Sequence, residues 1–284
     1  MALDLSGTEV GDTGLSCLTK AKNLSYLSLS DTRVTDRGLA RLSELPRLQG
    51  LELKGCRITG AGLADLKGAA ELTDLDGTQI GDRQLAGLGL LPRIERLNLA
   101  HTAITDHGLA HLAQLTHLRE LNLTATRVTG PGLDHLSKLS ALAELNLSST
   151  PVTDAGLQSL QRLSRLESLS LEQTQITQVG LAHIAGLVQL DFLNLDNTKI
   201  TDAGLQHLAG LPRLRYLSLA GTAIKGQGLR HLMGLGKLRY LFLPSDIPYR
   251  EELQRFHEAI PDCWIYLGGR FYGPSSASGS KPTL

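Results

Sequence analysis

Histidines recur in this chain at intervals that raise the question of a metal site. Five of the nine occupy one position of a repeating pattern: His111, His135, His183, His207 and His231. Imidazole nitrogens bind a metal only when several of them lie about 2 Å from the same ion. Neighbouring packed helices lie about 8–10 Å apart, so a row with one histidine per helix does not converge easily. We therefore expect these histidines to line a solvated helix face, and we predict no metal site.

Carboxylates at matching positions raise a second possibility, acid–base catalysis. Glu120 and Glu144 form the clearest pair in the sequence. Such a pair works in a site that excludes water, whereas each repeat of this chain would offer an open, shallow face. The sequence also lacks a phosphate-binding loop, a nucleophile elbow, a zinc-protease motif and a paired CxxC. We predict that the protein is not an enzyme and needs no cofactor.

The elements that position these side chains come from a repeat that runs through most of the chain. Its turn residue is Thr in nine copies and Cys in one, and the step is 24 residues everywhere except for a step of 22 between Cys56 and Thr78. A fixed period of this size predicts a solenoid. The ten turn residues are Thr8, Thr32, Cys56, Thr78, Thr102, Thr126, Thr150, Thr174, Thr198 and Thr222.

Each copy contains a change of hydrophobic period. Leu121 and Leu123 alternate with polar residues, which is typical of a half-buried strand. The apolar residues that follow, Val128 to Leu139, have the spacing of a short helix. Asp106 and Asp202 stand where such helices should begin, and we expect Asp at the N-cap. Each copy is predicted to form strand, turn and helix, and to bury its leucines against its neighbours.

The pattern L-x-x-L-x-L-x-x-T-x-(I/V)-T-D-x-G-L-x-x-L resembles the leucine-rich repeat, in particular the bacterial-type 24-residue repeat with Thr at the turn and an ITDAGL-like helix start. The resemblance covers about residues 1–246. It implies an α/β leucine-rich-repeat solenoid with a parallel sheet on the concave side and short helices on the convex side. The family is defined by its scaffold, so the resemblance predicts the fold and names no ligand.

The pattern also suggests boundaries. We predict about ten repeats and a last strand over residues 1–246, a C-terminal cap helix and strand over 247–268, and a largely disordered tail over 269–284, which is rich in Gly, Ser and Pro.

The short step predicts a local irregularity near residues 64–76, with Thr73 in a core position. The first strand, Leu3 to Leu5, has no capping segment before it, so we expect a fragment or a module of a larger chain.

Composition narrows the range of partners. The chain has 28 basic and 28 acidic residues, so nothing overall suggests nucleic acid or an anionic membrane. No apolar run approaches the ~18 residues that span a bilayer. The three cysteines suggest no pairing and no signal peptide is recognisable, which favours a reducing compartment such as the cytoplasm. The oligomeric state stays open.

The predicted strands place equivalent residues in columns on the concave face. Eight acidic residues and two basic ones fall there: Asp4, Glu52, Asp74, Asp76, Glu120, Glu144, Glu172 and Asp196, with Lys54 and Arg96. From these we select Glu120, Glu144, Glu172, Asp196 and Arg96 as candidate binding residues. One interpretation is a basic partner. The alternative is a solvated surface that prevents aggregation, with its charges screened by salt.

Aromatic residues gather near the C-terminal end of the same face. Phe192, Tyr216, Tyr240 and Phe242 should cluster there, as interface anchors do. The alternative is that they pack beneath the cap helix. We predict non-enzymatic protein or peptide binding through the concave face, with a structural or targeting module of a larger chain as the alternative function.

Overall fold

The computed structural model describes residues 1–63, 66, 71–91, 94–248 and 250–273. The chain divides into two compact units, Met1–Ala143 and Glu144–Leu284. Each unit repeats the same motif of a short strand, a tight turn and a short helix.

The first unit carries six strands, paired in parallel with their immediate neighbours in the chain. They are β1 (Ala2–Asp4), β2 (Tyr26–Ser28), β3 (Gly50–Glu52), β4 (Glu71–Asp74), β5 (Arg96–Asn98) and β6 (Glu120–Asn122). Its described α-helices are α1 (Asp12–Leu15), α2 (Asp36–Leu42), α3 (Asp82–Leu85) and α4 (Asp106–Leu112). The described 3₁₀-helices are Leu18–Lys20, Leu88–Leu90 and Pro131–Lys138.

The second unit carries seven strands: β7 (Glu144–Asn146), β8 (Ser168–Ser170), β9 (Phe192–Asn194), β10 (Tyr216–Ser218), β11 (Tyr240–Phe242), β12 (Trp264–Leu267) and β13 (Arg270–Tyr272). Strands β7 to β12 pair in parallel, and β13 pairs with β12 in antiparallel fashion. The described helices are α5 (Asp154–Leu157), α6 (Gln178–Ile184) and α7 (Arg250–Ala259), with 3₁₀-helices at Gln158–Arg162, Asp202–Leu208 and Gln227–Leu232.

The core of each unit is built from the repeated leucines. In one copy, Leu118, Leu123, Leu133, Leu136 and Leu139 are all fully buried. Paired strands align leucine with leucine, as in Leu97↔Leu121 and Leu193↔Leu217. The predicted alternation of strand and helix within a copy is therefore confirmed, because both periodicities point their apolar residues to the same interior.

The turn threonine bonds within its own copy. In all nine Thr copies its Oγ1 donates to the carbonyl of the residue three positions earlier, at 2.5–2.7 Å. Cys56 instead bonds the preceding copy, since its Sγ lies 3.0 Å from the Leu29 carbonyl oxygen. The hydroxyl thus satisfies a carbonyl that the tight turn leaves without a strand partner.

The prediction of Asp at the N-cap is wrong. The N-cap is Thr in α2, α4, α5 and α6 and Gly in α1 and α3. In α4, Thr105 Oγ1 accepts a bond from the backbone N–H of His107. Asp106 is the first residue inside that helix and bonds to the next copy: its carboxylate accepts from the Thr129 hydroxyl and backbone N–H and from the Gly130 N–H. The carboxylate that should cap its own helix therefore joins two copies.

This junction recurs, and we call it the aspartate ladder. In every case the Asp lies at the start of one copy's helix and accepts hydrogen bonds from the helix start of the next copy. The six carboxylates are Asp12, Asp36, Asp82, Asp106, Asp154 and Asp202.

The short step produces an irregularity in strand pairing. Gly50 and Leu51 of β3 pair with Glu71 and Leu72, but Glu52 pairs with Asp74, so β4 holds one additional residue at that point. This position lies within residues 64–76, where the irregularity was predicted. Residues 64–65 and 67–70 lie outside the described residues, as does the side chain of Thr73.

The C-terminal end extends further than expected. Helix α7 is followed by β12, and the prediction of a largely disordered tail from residue 269 is wrong for Arg270–Tyr272, which form β13. Gly268 and Gly269 both have positive φ, 57° and 81°, and let the chain reverse into the hairpin. The tail from Pro274 onward lies outside the described residues.

Candidate binding surface

The four predicted aromatic residues come together on the outward face of the second unit. The register places Phe192, Tyr216 and Tyr240 side by side at the starts of β9, β10 and β11. The Phe192 and Tyr216 rings stack with centroids 4.5 Å apart and an interplanar angle of 14°. Phe242 lies 5.0 Å from Tyr216, and Tyr240 lies 6.4 Å from it. One continuous aromatic surface results.

The surface continues onto the terminal hairpin, which sequence reasoning missed. The Tyr266 ring lies 5.4 Å from Phe242, and Phe271 lies 4.9 Å from Tyr266 and 6.4 Å from Trp264. The in-register pairing of β11 with β12 and the reversal into β13 bring these rings into line. The aromatic ladder is the set Phe192, Tyr216, Tyr240, Phe242, Trp264, Tyr266 and Phe271.

The ladder is partly open to solvent. Tyr240, Trp264 and Phe271 are 47%, 43% and 55% exposed, and the remaining rings are half-buried. Helix α7 packs against the 3₁₀-helix Gln227–Leu232 and buries its own Leu253 and Phe256. The cap helix therefore does not cover Tyr240, in contrast to the alternative in which the aromatic cluster packs beneath it.

Two predicted carboxylates lie beside the ladder. Glu172 accepts a hydrogen bond from Asn194 Nδ2 at 3.3 Å, and Asp196 accepts from the Ser218 hydroxyl at 2.5 Å and the Ala220 N–H at 2.7 Å. Burial raises the pKa of Tyr216, and the negative charges of Asp196 and Glu172 raise it further. The carboxylates are thus close enough to the Tyr216 hydroxyl to raise its pKa. Glu144 is exposed at the start of β7.

The remaining predicted residues, Arg96 and Glu120, lie in the first unit. The register of β5 and β6 sets Arg96 directly beside Glu120, so the charge of Glu120 has a cation on the neighbouring strand. Glu120 and Glu144, expected as adjacent carboxylates, belong to different compact units.

Much of the acidic face of the first unit is paired internally. Asp76 contacts Lys54 Nζ at 3.1 Å and His101 Nδ1 at 2.8 Å. Burial raises the pKa of Asp76, but the hydrogen bonds from His101 and Lys54 outweigh it and the net pKa is lowered. Glu52 accepts from the Ser28 hydroxyl at 2.9 Å, and a hydrogen bond to Glu52 raises the pKa of Tyr26 to about 12. The prediction from sequence considered only the strand positions of the concave face and did not include His101, which lies in the turn after β5.

A polar recess of about 390 Å³ lies at the edge of the second unit where strands begin. It is lined by Glu167, Gln189, Asp191, Arg213, Arg215 and Lys237. Arg215 and Asp191 form a two-pronged ion pair inside it, with Nη2 and Oδ2 2.7 Å apart. Sequence reasoning missed this recess, although opposite charges at matching positions of adjacent copies were a usable signal.

Across the described part of the chain, no three His, Cys, Asp or Glu side chains come together in a way that could hold a metal ion. Of the histidine row, His135 is exposed and the other four are half-buried. None of the described helices combines the length and the apolar character needed to cross a membrane.

Comparison with known proteins gives a family and several related folds. The family model described as a leucine-rich repeat region matches residues 2–234. A Listeria monocytogenes internalin shares 21% identity and a TM-score of 0.69, over 93% of this chain and 86% of that one. A leucine-rich-repeat protein of Leptospira interrogans shares 21% identity and a TM-score of 0.63, over 88% and 74% of the two chains.

A plant receptor has the same kind of fold over part of its length. It is the ectodomain of GASSHO1/SCHENGEN3 from Arabidopsis thaliana, in complex with CASPARIAN STRIP INTEGRITY FACTOR 2. The identity is 21% and the TM-score 0.58, over 93% of this chain and 35% of the receptor. The comparison with curated proteins finds no match. At these identities the likeness concerns the fold.

Proposed function

Because the chain belongs to the leucine-rich-repeat family, we propose that it binds a protein or peptide, without catalysis, through the sheet face of its second unit. The observation that carries the proposal is the aromatic ladder. Contiguous, partly exposed aromatic rings on a folded surface are typical of interaction sites, where they act as anchors. The stacking of Phe192 on Tyr216 and the contacts among the other rings hold the ladder in place before a partner arrives, which lowers the entropy lost on binding.

The charges beside the ladder support a basic partner. Glu172 and Asp196 border the Phe192–Tyr216 stack, and the described strands β7 to β11 carry no Lys or Arg at their outward-facing positions. A negative surface next to apolar anchors accelerates the approach of a positive partner and disfavours an acidic one. The plant receptor in complex with its integrity factor supports the general class, since a related scaffold there holds a partner.

The test is to identify a partner and then remove the anchors. Proteins captured from lysate by the wild-type chain are compared with those captured by the Phe192→Ala/Tyr216→Ala double variant. The affinity of the recovered partner is then measured by calorimetry. We expect the double variant to bind at least about 30-fold more weakly, because central aromatic anchors are worth 2 kcal/mol or more.

A matched control comes from the same unit. Val179 and Val188 are 59% and 44% exposed and lie outside the ladder, so the Val179→Ala/Val188→Ala variant loses exposed apolar surface elsewhere. This variant should bind as the wild type does, and circular dichroism should show both variants folded. Equal affinity of wild type and the Phe192→Ala/Tyr216→Ala variant would place the interaction on another surface.

A further inference from the structure

The two faces of the Phe192 ring have different neighbours. Tyr216 covers the face toward β10, since the two rings are nearly parallel at 4.5 Å. Toward β8, the register sets Ser168 beside Phe192 and Ser170 beside Asn194. Neither serine is long enough to cover an aromatic ring, so this side of Phe192 forms a step above β8. Phe192 is half-buried as a result.

The floor of this step is polar and already hydrogen-bonded. The hydroxyls of Ser170 and Ser148 lie 2.8 Å apart, and both serines are buried, at 8% exposure each. A ligand group resting there would leave no buried hydroxyl without a partner. The step therefore suits a flat ligand group. The face of that group would contact the Phe192 ring, and its edge would need a hydrogen-bond acceptor from the protein.

A carboxylate is held beside the step. Asn194 Oδ1 accepts from the Asp196 N–H at 2.9 Å, which fixes the orientation of the amide. Its Nδ2 then donates to Glu172 Oε2, so Glu172, which follows β8, is drawn toward the strand that carries Phe192. This contact uses Oε2 of the carboxylate.

We propose that this step is a guanidinium site: an arginine side chain of the bound peptide stacks on the free face of Phe192 and donates hydrogen bonds to Glu172. The inference rests on the proposed function and specifies its partner as an arginine-containing peptide. A guanidinium is planar, always charged and more weakly hydrated than an ammonium, so it stacks on a ring while its edge bonds a carboxylate. A lysine offers a charge but no flat face.

The experiment selects peptides without assuming a sequence. A display library of random ten-residue peptides is selected against the full chain, and the selected pools are sequenced. Parallel selections use Phe192→Leu, which keeps an apolar side chain without the ring, and Glu172→Gln, which keeps the shape without the charge. Glu167→Gln is the matched control, because it removes a carboxylate of the same copy that lines the polar recess. We expect arginine enrichment with wild type and Glu167→Gln, and its loss with the other two variants.

A selected peptide then gives a quantitative test by double-mutant cycle. Replacing its enriched arginine by citrulline keeps the planar shape and removes the charge. We expect about tenfold weaker binding to wild type and to Glu167→Gln, the size of one charge-assisted hydrogen bond. Binding to Glu172→Gln should change by less than about twofold, because the partner of the charge is already absent.

The outcomes separate the two proposals. Two results would overturn the guanidinium site and leave the proposed function standing. One is a set of peptides that require Phe192 and Tyr216 but show no arginine enrichment. The other is an arginine effect that is independent of Glu172. A selection that yields no peptide dependent on Phe192 and Tyr216 would count against both.

Discussion

Threonine at the turn is the clearest case of a single residue that stabilises each copy. Thr126 is 4% exposed and its Oγ1 donates to the Leu123 carbonyl at 2.7 Å. The neighbouring Ala125 has φ 55°, so the turn passes through the left-handed region of backbone conformation. The backbone N–H of Thr126 also donates to this carbonyl, at 3.2 Å, and the hydroxyl adds a second, shorter hydrogen bond.

At this scale we predict the effect of removing the hydroxyl. Thr126→Val keeps the shape and leaves a buried carbonyl with a weaker set of partners, so the free energy of unfolding should fall by about 1–2 kcal/mol. Thr126→Ser keeps the donor and should lose less than half as much. Urea unfolding followed by circular dichroism measures both, and equal losses for Val and Ser would show that the methyl group contributes as much as the hydrogen bond.

At the scale of elements, the helix of one copy lies against the helix start of the copy before it. A Cβ on Gly132 would lie 2.6 Å from the Asp106 Cα and 2.8 Å from the Asp106 carbonyl oxygen. These are backbone atoms, which cannot rotate away. The glycine of the ITDAGL-like motif is therefore required by the close approach of successive copies.

Gly132→Ala should consequently lower stability by about 1–3 kcal/mol, since the added methyl group overpacks a rigid junction. Gly186→Ala is the control, because a Cβ there meets no atom within 4 Å. Gly132→Ala should unfold at a lower temperature and a lower urea concentration than Gly186→Ala. A Gly132→Ala protein as stable as Gly186→Ala would mean that the copies can separate slightly at little cost.

At the scale of the whole molecule, the aspartate ladder makes stability depend on pH. Burial raises the pKa values of Asp36 and Asp106, but hydrogen bonds from Thr59, Thr129 and neighbouring glycines lower them by more, so both lie below the ordinary value. A carboxyl with a lowered folded-state pKa stabilises the fold above its ordinary pKa of about 3.9. That contribution is lost as the pH falls through the lowered pKa.

We therefore predict that Asp36→Asn/Asp106→Asn lowers the free energy of unfolding by about 3 kcal/mol at neutral pH, since each carboxylate accepts several hydrogen bonds. The difference from wild type should shrink as the pH falls below about 4 and the wild-type carboxylates become protonated. The exposed Asp134→Asn variant is the control. Urea midpoints across this range give the comparison, and a difference that stays constant with pH would exclude the charge as its cause.

The repeat architecture could be predicted from the sequence because its signals are local. The turn residues recur at a fixed step, and the leucine periodicities within one copy distinguish strand from helix without information from other copies. The sequence also predicted one aromatic cluster, since parallel in-register strands place equivalent residues side by side. Its members are Phe192, Tyr216, Tyr240 and Phe242.

Only the tertiary structure decided which polar atoms meet. The sequence of a single copy predicts that Asp106 is an N-cap, whereas its hydrogen bonds to Thr129 form only when two copies are packed together. The pairing of His101 with Asp76 and the extension of the ladder to Tyr266 and Phe271 likewise depend on turn geometry and on the reversal at Gly268 and Gly269. Hydrophobic periodicity determines which side of an element is buried, whereas hydrogen bonds and ring contacts depend on distances of a few ångströms between residues far apart in the chain.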